Sequence, residues 1–234
     1  DVYYIGNQEM ARVRKGEITF YNLDGEEIEK ELKTVEWDAE AAEKSGYEHF
    51  MIKEIHEQPK AVSDTLNSVI KDGMIDLSEV GLSEEEIKEI SQIYIVACGS
   101  AYHVGVAAQY VIEDFARIPV RVELASEFRY RNPILDPKGL VVIISQSGET
   151  ADSLAALRET KAQGIRTLGI VNVVGSSIAR EADKVFYTLA GPEISVATTK
   201  AYSTQLAVIY LLAIKAAQVK HCLKEDVSYL LNEL

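Results

Sequence analysis

The feature that most constrains the fold is a regular alternation of apolar, strand-like runs with helical segments, which begins near residue 81. Two of the runs, Ile93–Ala97 and Gly139–Ile144, are apolar along their length, as parallel strands buried on both faces are. Three further strands are predicted at Pro119–Leu124, Thr167–Val171 and Lys184–Leu189. Helical segments are predicted at 102–115, 125–131, 150–163 and 199–219. This order predicts an α/β fold, a doubly wound parallel sheet of five strands with helices on both faces.

The first part of the chain has a different pattern. Residues 1–36 alternate apolar and polar positions, and Asp24-Gly25 separates Glu17–Asn22 from Glu26–Glu29. An Asp-Gly pair between two such runs predicts a β-hairpin. We therefore expect this segment to be antiparallel sheet, distinct from the parallel sheet that follows.

A linker with helices is predicted between these two parts, at residues 37–80. Its acidic, alanine-rich start is typical of a linker, and helical spacing follows at 50–56 and again at 61–70. Pro59 is expected to interrupt the helix, because proline removes one backbone hydrogen bond. The first domain is therefore expected at 1–36, the linker at 37–80 and the α/β domain at 81–234. Ser83 and Glu86 have the spacing of a capping box that opens the first short helix of that domain.

Composition excludes several classes of function. The formal net charge of the 234 residues is -13 at pH 7, and the charge is spread along the chain, which argues against binding of nucleic acid or anionic membranes. The two cysteines, Cys98 and Cys222, form no C-x-x-C motif, which favours a reducing cytoplasm and argues against a zinc site. Four scattered histidines add no metal-ligand spacing, and the longest apolar run, Leu206–Ile214, is too short to span a bilayer. No metal or cofactor is expected.

A cluster of hydroxyls marks the junction between the third strand and its helix. Ser145, Gln146, Ser147 and Thr150 lie where the free amides and the positive end of a helix dipole favour an anion. Helix capping requires one hydroxyl, and this loop offers three. The loop contains no lysine and no glycine-rich nucleotide motif, so a phosphate monoester on a small molecule is the predicted ligand. Gln146 could orient a sugar hydroxyl or a phosphate oxygen.

A second strand-to-helix turn, Cys98-Gly99-Ser100, is expected to form another wall of the same pocket, because ligands of such sheets lie beyond the carboxyl ends of the strands. Cys98 has no histidine partner in the sequence and is interpreted as a small buried hydrophobe rather than a nucleophile. No catalytic residue is predicted.

Three further candidates leave alternatives open. Asn172–Ser177 is equally consistent with a third ligand loop and with a tight turn. Thr198 or Thr199 is expected to cap the long helix, and either could face the pocket. Lys200 is interpreted as a solvated lysine of the first helical turn rather than a Schiff-base amine.

Taken together, five motifs resemble the isomerase part of the glutamine–fructose-6-phosphate aminotransferase family, and in particular the first of its two sugar isomerase (SIS) subdomains. These motifs are Cys98–Ser100, Ala125–Arg131, Ser145–Ala151, Val196–Ala201 and Thr204-Gln205. Phe50–Pro59 resembles the entry into that domain, and residues 1–36 resemble the last strands of the glutaminase domain of the family. The resemblance implies a flavodoxin-like SIS sandwich, preceded by a β-hairpin remnant and a helical linker.

The resemblance also implies a function. In the family, ammonia from glutamine is transferred to fructose 6-phosphate, giving glucosamine 6-phosphate and glutamate. The substrate-binding residues implied here are Cys98, Gly99, Ser100, Ser145, Gln146, Ser147, Thr150, Val196 and Thr198. The family usually has Thr-Ser where this chain has Ser100-Ala101, so the second hydroxyl of that pair is absent here. Thr198 preserves the hydroxyl of the serine that many members have there.

The imine-forming lysine and the proton-shuttling glutamate of the family lie in the second SIS subdomain, and the glutaminase nucleophile is an N-terminal cysteine. The chain starts at Asp1 and is expected to be a piece of a longer cytoplasmic protein that binds fructose 6-phosphate or glucosamine 6-phosphate without turnover. A homodimer is expected to cover the apolar helix 199–219. Two rival functions stay open, a non-catalytic SIS sensor of sugar phosphates and a deglycase or isomerase built only from SIS subdomains.

Overall fold

A computed structural model describes residues 2–34 and 43–234. The chain divides into two compact units, Asp1–Glu43 and Lys44–Leu234. The linker predicted from residue 37 lies, up to residue 42, outside the described residues. Within the described ranges, no helix is both long and apolar enough to cross a membrane.

The first unit is a small antiparallel sheet. Its strands lie in the order β1 (Met10–Arg14), β2 (Glu17–Tyr21) and β3 (Glu27–Ile28). The predicted hairpin is confirmed, with Phe20 opposite Ile28. Strand β1 lies within the segment expected to be antiparallel sheet, although its own bounds were not predicted. It pairs with β2 across a turn in which Gly16 has a φ of +82°. Glycine adopts this left-handed conformation without a steric cost.

The second unit alternates helices with strands. Its first elements are α1 (Phe50–Asn67), β4 (Ile70–Lys71), β5 (Met74–Ile75), α2 (Glu84–Glu89), β6 (Ile93–Ala97), α3 (Gly99–Phe115), β7 (Val120–Leu124), α4 (Ala125–Arg131) and β8 (Leu140–Ser145). The remaining elements are α5 (Ala151–Ala162), β9 (Arg166–Val171), α6 (Ser177–Glu181), β10 (Lys184–Tyr187), α7 (Lys200–Val219) and α8 (Val227–Glu233). The capping box is present at the start of α2, where Ser83 and Glu86 bond reciprocally.

Five of these strands form the predicted parallel sheet, in the order β10-β9-β8-β6-β7. Strands β6 and β8 are neighbours, with Ala97 opposite Ile144. The chain runs from β6 outward to β7 and then returns to β8 on the other side. The strand order therefore reverses between β6 and β8, which is the point where open α/β sheets bind ligands.

The two faces of the sheet are covered by different helices. Side chains such as Ile95 and Val142 face α2, α3 and α7, whereas Val96 and Ile143 face α4, α5 and α6. All four are at most 3% exposed. Burial on both faces explains why these strands are continuous apolar runs rather than alternating ones.

Helix α1 is continuous across Pro59, so the interruption predicted at that residue is wrong. The carbonyl of Ile55, which would accept the amide that proline lacks, accepts a hydrogen bond from the Gln58 side-chain amide at 3.2 Å. The helix also packs along α7. A side-chain replacement for the lost bond and tertiary packing together offset the preference of proline for a helix end.

One hairpin and one helix of the second unit were missed. The β4–β5 hairpin turns at Asp72-Gly73, where both residues have positive φ, +51° and +72°. The Asp-Gly signal was present in the sequence, but its flanking strands are only two residues long. Helix α8 was missed although Val227, Leu230, Leu231 and Leu234 have helical spacing and pack, partly buried, against the core.

Helix α7 is covered within the chain itself. It packs against α1, α2, α3 and α8, and residues such as Val208, Leu211 and Ile214 are at most 1% exposed. The argument that a second copy of the chain is needed to cover this helix is therefore wrong, because helices of the same chain already bury it.

Candidate functional site

Three loops meet at the carboxyl-terminal edge of the sheet. Residues 98–100 follow β6, and residues 145–150 follow β8, on the two sides of the point where the strand order reverses. The third loop, residues 188–199, follows β10 and leads into α7. The far end of α7 lies at the opposite edge, because Lys220 donates to the carbonyls of Lys88 and Ile90, shortly before β6 begins. The helix therefore begins at the same edge as the other two loops.

Ser145 organises the loop after β8. It is 4% exposed, and its Oγ accepts the Gly148 amide at 3.0 Å and lies 3.2 Å from Thr150 Oγ1. The Gln146 carbonyl accepts the Asn172 amide at 3.1 Å, which ties the loop to the end of β9. The hydroxyl of Ser145 thus closes the loop on itself, and the more accessible groups are those of Gln146, Ser147 and Thr150.

Gly148 is required by the geometry of this loop. Its φ is +66°, and a Cβ built on it would lie 2.0 Å from Ser176 Oγ and 2.5 Å from Ser176 Cβ. Its carbonyl accepts the Ile178 amide at 3.0 Å. The loop therefore lies directly against the turn before α6, with no room for a side chain between them.

Among the residues that the structure describes, none accepts a hydrogen bond from the first backbone amides of α5. The first helical bond runs from the Leu154 amide to the Thr150 carbonyl, so the amides of residues 151–153 precede it. Thr150 is the N-cap, yet its side chain makes no capping bond to these amides in the described structure. Ser147 Oγ accepts the Glu149 amide at 3.2 Å, which leaves its proton available to a ligand. This arrangement favours an anion.

The two acidic side chains beside these donors are each engaged. Asp152, in the first turn of α5, accepts a hydrogen bond from the Arg129 guanidinium at 2.7 Å. Glu149 Oε1 accepts the Ser177 amide at 2.7 Å and so caps α6. These partners reduce the repulsion that the carboxylates would exert on a bound anion.

The loop after β6 is more open. Gly99 has a φ of +57° and starts α3, and Ser100 is exposed in the first turn of that helix. Cys98 is half-buried, and its Sγ lies 3.9 Å from Ser153 Oγ on α5. Cys98 and Ser153 thus link the start of α3 to the start of α5, which brings the two predicted walls together.

The loop before α7 is held by a carboxylate that the sequence did not point to. Glu193 Oε1 accepts the amides of Thr199 and Ala201 at 2.9 and 3.2 Å, and Oε2 accepts the Thr198 hydroxyl at 2.9 Å. Glu193 caps the helix in place of the predicted Thr198 or Thr199, because its longer side chain reaches back over the first turn. Val196 is fully exposed at the tip of this loop.

Lys200 is not solvated, and that interpretation is wrong. It is 2% exposed, and its Nζ donates to Glu57 Oε2 at 2.7 Å. Lys53 is 4% exposed and lies 3.2 Å from the other oxygen of Glu57. Burial opposes ionisation of Glu57, but the hydrogen bonds from Lys200 and Lys53 outweigh it and hold the pKa of this carboxyl below its usual range.

Asn172 has a structural part in this region. Its Nδ2 donates to the Gly191 carbonyl at 2.8 Å, and its Oδ1 accepts the Ala190 amide at 3.0 Å. The side chain therefore ties the end of β9 to the loop after β10. Of the two alternatives for residues 172–177, this geometry favours the turn.

Comparison with known proteins gives concordant results. The model of the SIS domain family matches residues 86–215, which is more than half of the chain. A glutamine–fructose-6-phosphate aminotransferase (isomerizing) of Clostridium acetobutylicum is 56% identical over 97% of this chain and 37% of its own length. The same-named protein of Caldanaerobacter subterraneus is 56% identical over 94% of this chain and 36% of its own length.

Among solved structures, the C-terminal domain of glucosamine-fructose-6-phosphate aminotransferase from Francisella tularensis superposes with a TM-score of 0.78. It is 44% identical over 82% of this chain and 54% of that one. The chain thus spans only a little over a third of the length of the curated relatives it matches. The family match, the strand order and the loops at the strand ends agree, and the chain belongs to the SIS domain family.

Proposed function

We propose that this chain is the sugar-phosphate-binding part of a glutamine–fructose-6-phosphate aminotransferase, which makes glucosamine 6-phosphate and glutamate from fructose 6-phosphate and glutamine. The names of the relatives above support this activity for the whole protein. The match to the SIS family supports a phosphosugar ligand for the part described here.

The observation that carries the proposal is the set of donors at the start of α5. The free amides of residues 151–153 and the hydroxyls of Ser147 and Thr150 converge where the strand order reverses. A phosphate monoester matches this set, because its oxygens accept several hydrogen bonds and its charge is favoured by the helix dipole. Gln146, Ser100 and Gly99 complete the cradle, and Ser145 and Cys98 hold its shape.

The sugar end of the ligand is assigned to the loop before α7. Val196 protrudes from this loop, and Thr198 follows it at half exposure. The Thr198 proton is donated to Glu193, so the remaining lone pairs of this hydroxyl are suited to accept a bond from a sugar hydroxyl. Phosphate and sugar contacts together would orient the carbonyl carbon for attack, and binding energy would thereby lower the barrier of the complete enzyme.

By itself the chain is proposed to bind without turnover. The resemblance assigns the lysine and the glutamate of the chemical step to the second SIS subdomain, and no residue here matches them. The buried Lys200 is paired with Glu57 and therefore is not a candidate for the imine. A cytoplasmic homodimer stays part of the proposal, although α7, the helix that first suggested it, is covered within the chain. The acidic net charge of -13 argues against a nucleic-acid partner.

A calorimetric titration with fructose 6-phosphate tests the binding. We expect the parent chain to bind and the double variant Ser147→Ala with Thr150→Val to bind roughly a hundredfold more weakly, since two hydrogen bonds to a charged group are removed. Thr160→Val is the matched control, because Thr160 lies on the same helix and its hydroxyl donates to the Ala156 carbonyl of that helix. A well-folded parent that does not bind, or a double variant that binds like the parent, contradicts the proposal.

A further inference from the structure

The start of α1 is inverted relative to an ordinary amphipathic helix. The charged residues Lys53 and Glu54 are 4% and 1% exposed, whereas Ile52 and Ile55 are each 40% exposed. Burial of a carboxylate is costly unless hydrogen bonds replace its water. Something on the inner side of this helix must therefore compensate Glu54.

The partners of Glu54 are two consecutive backbone amides. Its Oε1 accepts the amides of Ile194 and Ser195 at 2.6 and 3.1 Å, and its Oε2 lies 3.3 Å from the Ser195 amide. Hydrogen bonds to a charged acceptor are stronger than neutral ones. Glu54 thus fixes the backbone amides of Ile194 and Ser195, the two residues that directly precede Val196.

The other side of the same loop is fixed by Glu193, which binds the hydroxyl of Thr198 and the amide of Thr199. Between these two anchors, Val196 is the residue that protrudes fully. The two carboxylates therefore define the position of the tip, and the one on α1 comes from outside the α/β sheet altogether.

We propose that Glu54 is a positioning residue for the sugar: it does not contact the ligand but sets the loop that carries Val196 and Thr198. The inference rests on the proposed function, in which that loop contacts the sugar and the loop after β8 contacts the phosphate. Glu54 then determines how much affinity the sugar adds to that of the phosphate alone. The phosphate cradle, which is built from other elements, is independent of it.

The test compares two ligands on the full chain, fructose 6-phosphate and inorganic phosphate, by calorimetry. In Glu54→Ala we expect the affinity for fructose 6-phosphate to fall roughly tenfold, because a charge-assisted contact that fixes the loop is lost. The affinity for inorganic phosphate should be unchanged. Glu54→Gln should restore most of the affinity, because its amide oxygen can still accept from both amides.

Thr65→Val is the matched control. Thr65 is also fully buried on α1, and its Oγ1 accepts the Leu189 amide at 3.1 Å, at the start of the same segment but away from its tip. Its loss should lower stability without changing the ratio of the two affinities. If Glu54→Ala does not fold, Glu54→Asp replaces it, because the shorter carboxylate cannot reach both amides and should give the same loss.

The outcomes separate the inference from the proposed function. A parent chain that binds neither ligand overturns both. A parent that binds both, with an unchanged affinity ratio in Glu54→Ala or Glu54→Asp, refutes the positioning role and leaves the proposed function standing. Equal weakening of both ligands indicates a general structural effect and likewise refutes it. A selective loss for the sugar phosphate with rescue by glutamine supports it.

Discussion

Replacing Gly148 by alanine probes the loop after β8 most directly. Two separate penalties are expected. The backbone φ of +66° is strained for any residue with a Cβ, and that Cβ would lie 2.0 Å from Ser176 Oγ. Both penalties act on the loop to which the phosphate is assigned, so stability and ligand binding should change together.

The expected loss of stability in Gly148→Ala is the sum of these two penalties. A left-handed conformation costs a non-glycine residue about 1–2 kcal/mol. Overpacking of a tight contact costs about 1–3 kcal/mol more, so Gly148→Ala should destabilise the chain by about 2–5 kcal/mol. Gly164→Ala isolates the first term, because Gly164 has a φ of +72° and no atom lies within 4 Å of the place that its Cβ would take.

Urea denaturation of the two variants and of Gly148→Ala with Ser176→Gly provides the measurement. We expect Gly148→Ala to cost clearly more than Gly164→Ala, and the added Ser176→Gly substitution to recover most of the difference, since contacting residues couple. Equal costs for the two alanine variants, or no recovery in the double variant, would falsify the steric argument.

Two further predictions concern α1. Glu57→Gln should destabilise the chain by about 2–3 kcal/mol at pH 7, because it leaves the buried Lys200 without its charged partner. The pKa of Glu57 is lowered in the folded state, so its contribution is complete above the ordinary value of 4.5 and is lost as the pH falls through the lowered value. Chemical denaturation from pH 7 to pH 3 should therefore show the parent and the variant converging; a constant difference contradicts this. Pro59→Ala should increase the free energy of unfolding by about 1–2 kcal/mol, because it restores a backbone amide inside a helix. The midpoint of thermal unfolding should rise accordingly. A lower midpoint would contradict this prediction. It would mean that proline stabilises the fold more, by restricting the unfolded chain, than the missing helical hydrogen bond destabilises it.

Much of the α/β fold was predictable because the signals are local. The runs at Ile93–Ala97 and Gly139–Ile144 are apolar at consecutive positions, and a parallel strand covered on both faces requires that. The predicted interruption of the helix at Pro59 was wrong because it, too, relied on a local signal. The rule that proline ends helices is local, whereas the Gln58 amide and the packing of α7 that sustain the helix are not visible in the pattern.

The location of the proposed phosphate site was predictable from the sequence, and the hydrogen bonds of its individual hydroxyls were not. Three hydroxyls after a strand mark a loop at the carboxyl edge, where ligands of such sheets bind. The sequence could not tell that Ser145 turns inward to hold Gly148 and Thr150, while Ser147 keeps a free proton. That distinction depends on the path of the loop against Ser176, which belongs to a different element.

By itself, the sequence determined the order of strands and helices and the edge of the sheet at which the chemistry of a phosphate site could form, because periodicity and chain order are properties of neighbouring residues. Only the tertiary structure decided which charges are buried. Glu54 and Lys200 look like ordinary surface residues of two helices, and both are at most 2% exposed. Their burial is possible because each meets a partner more than a hundred positions away, at Ile194 and Glu57. A charge leaves water only where such a partner replaces its hydration, and no local pattern records that meeting.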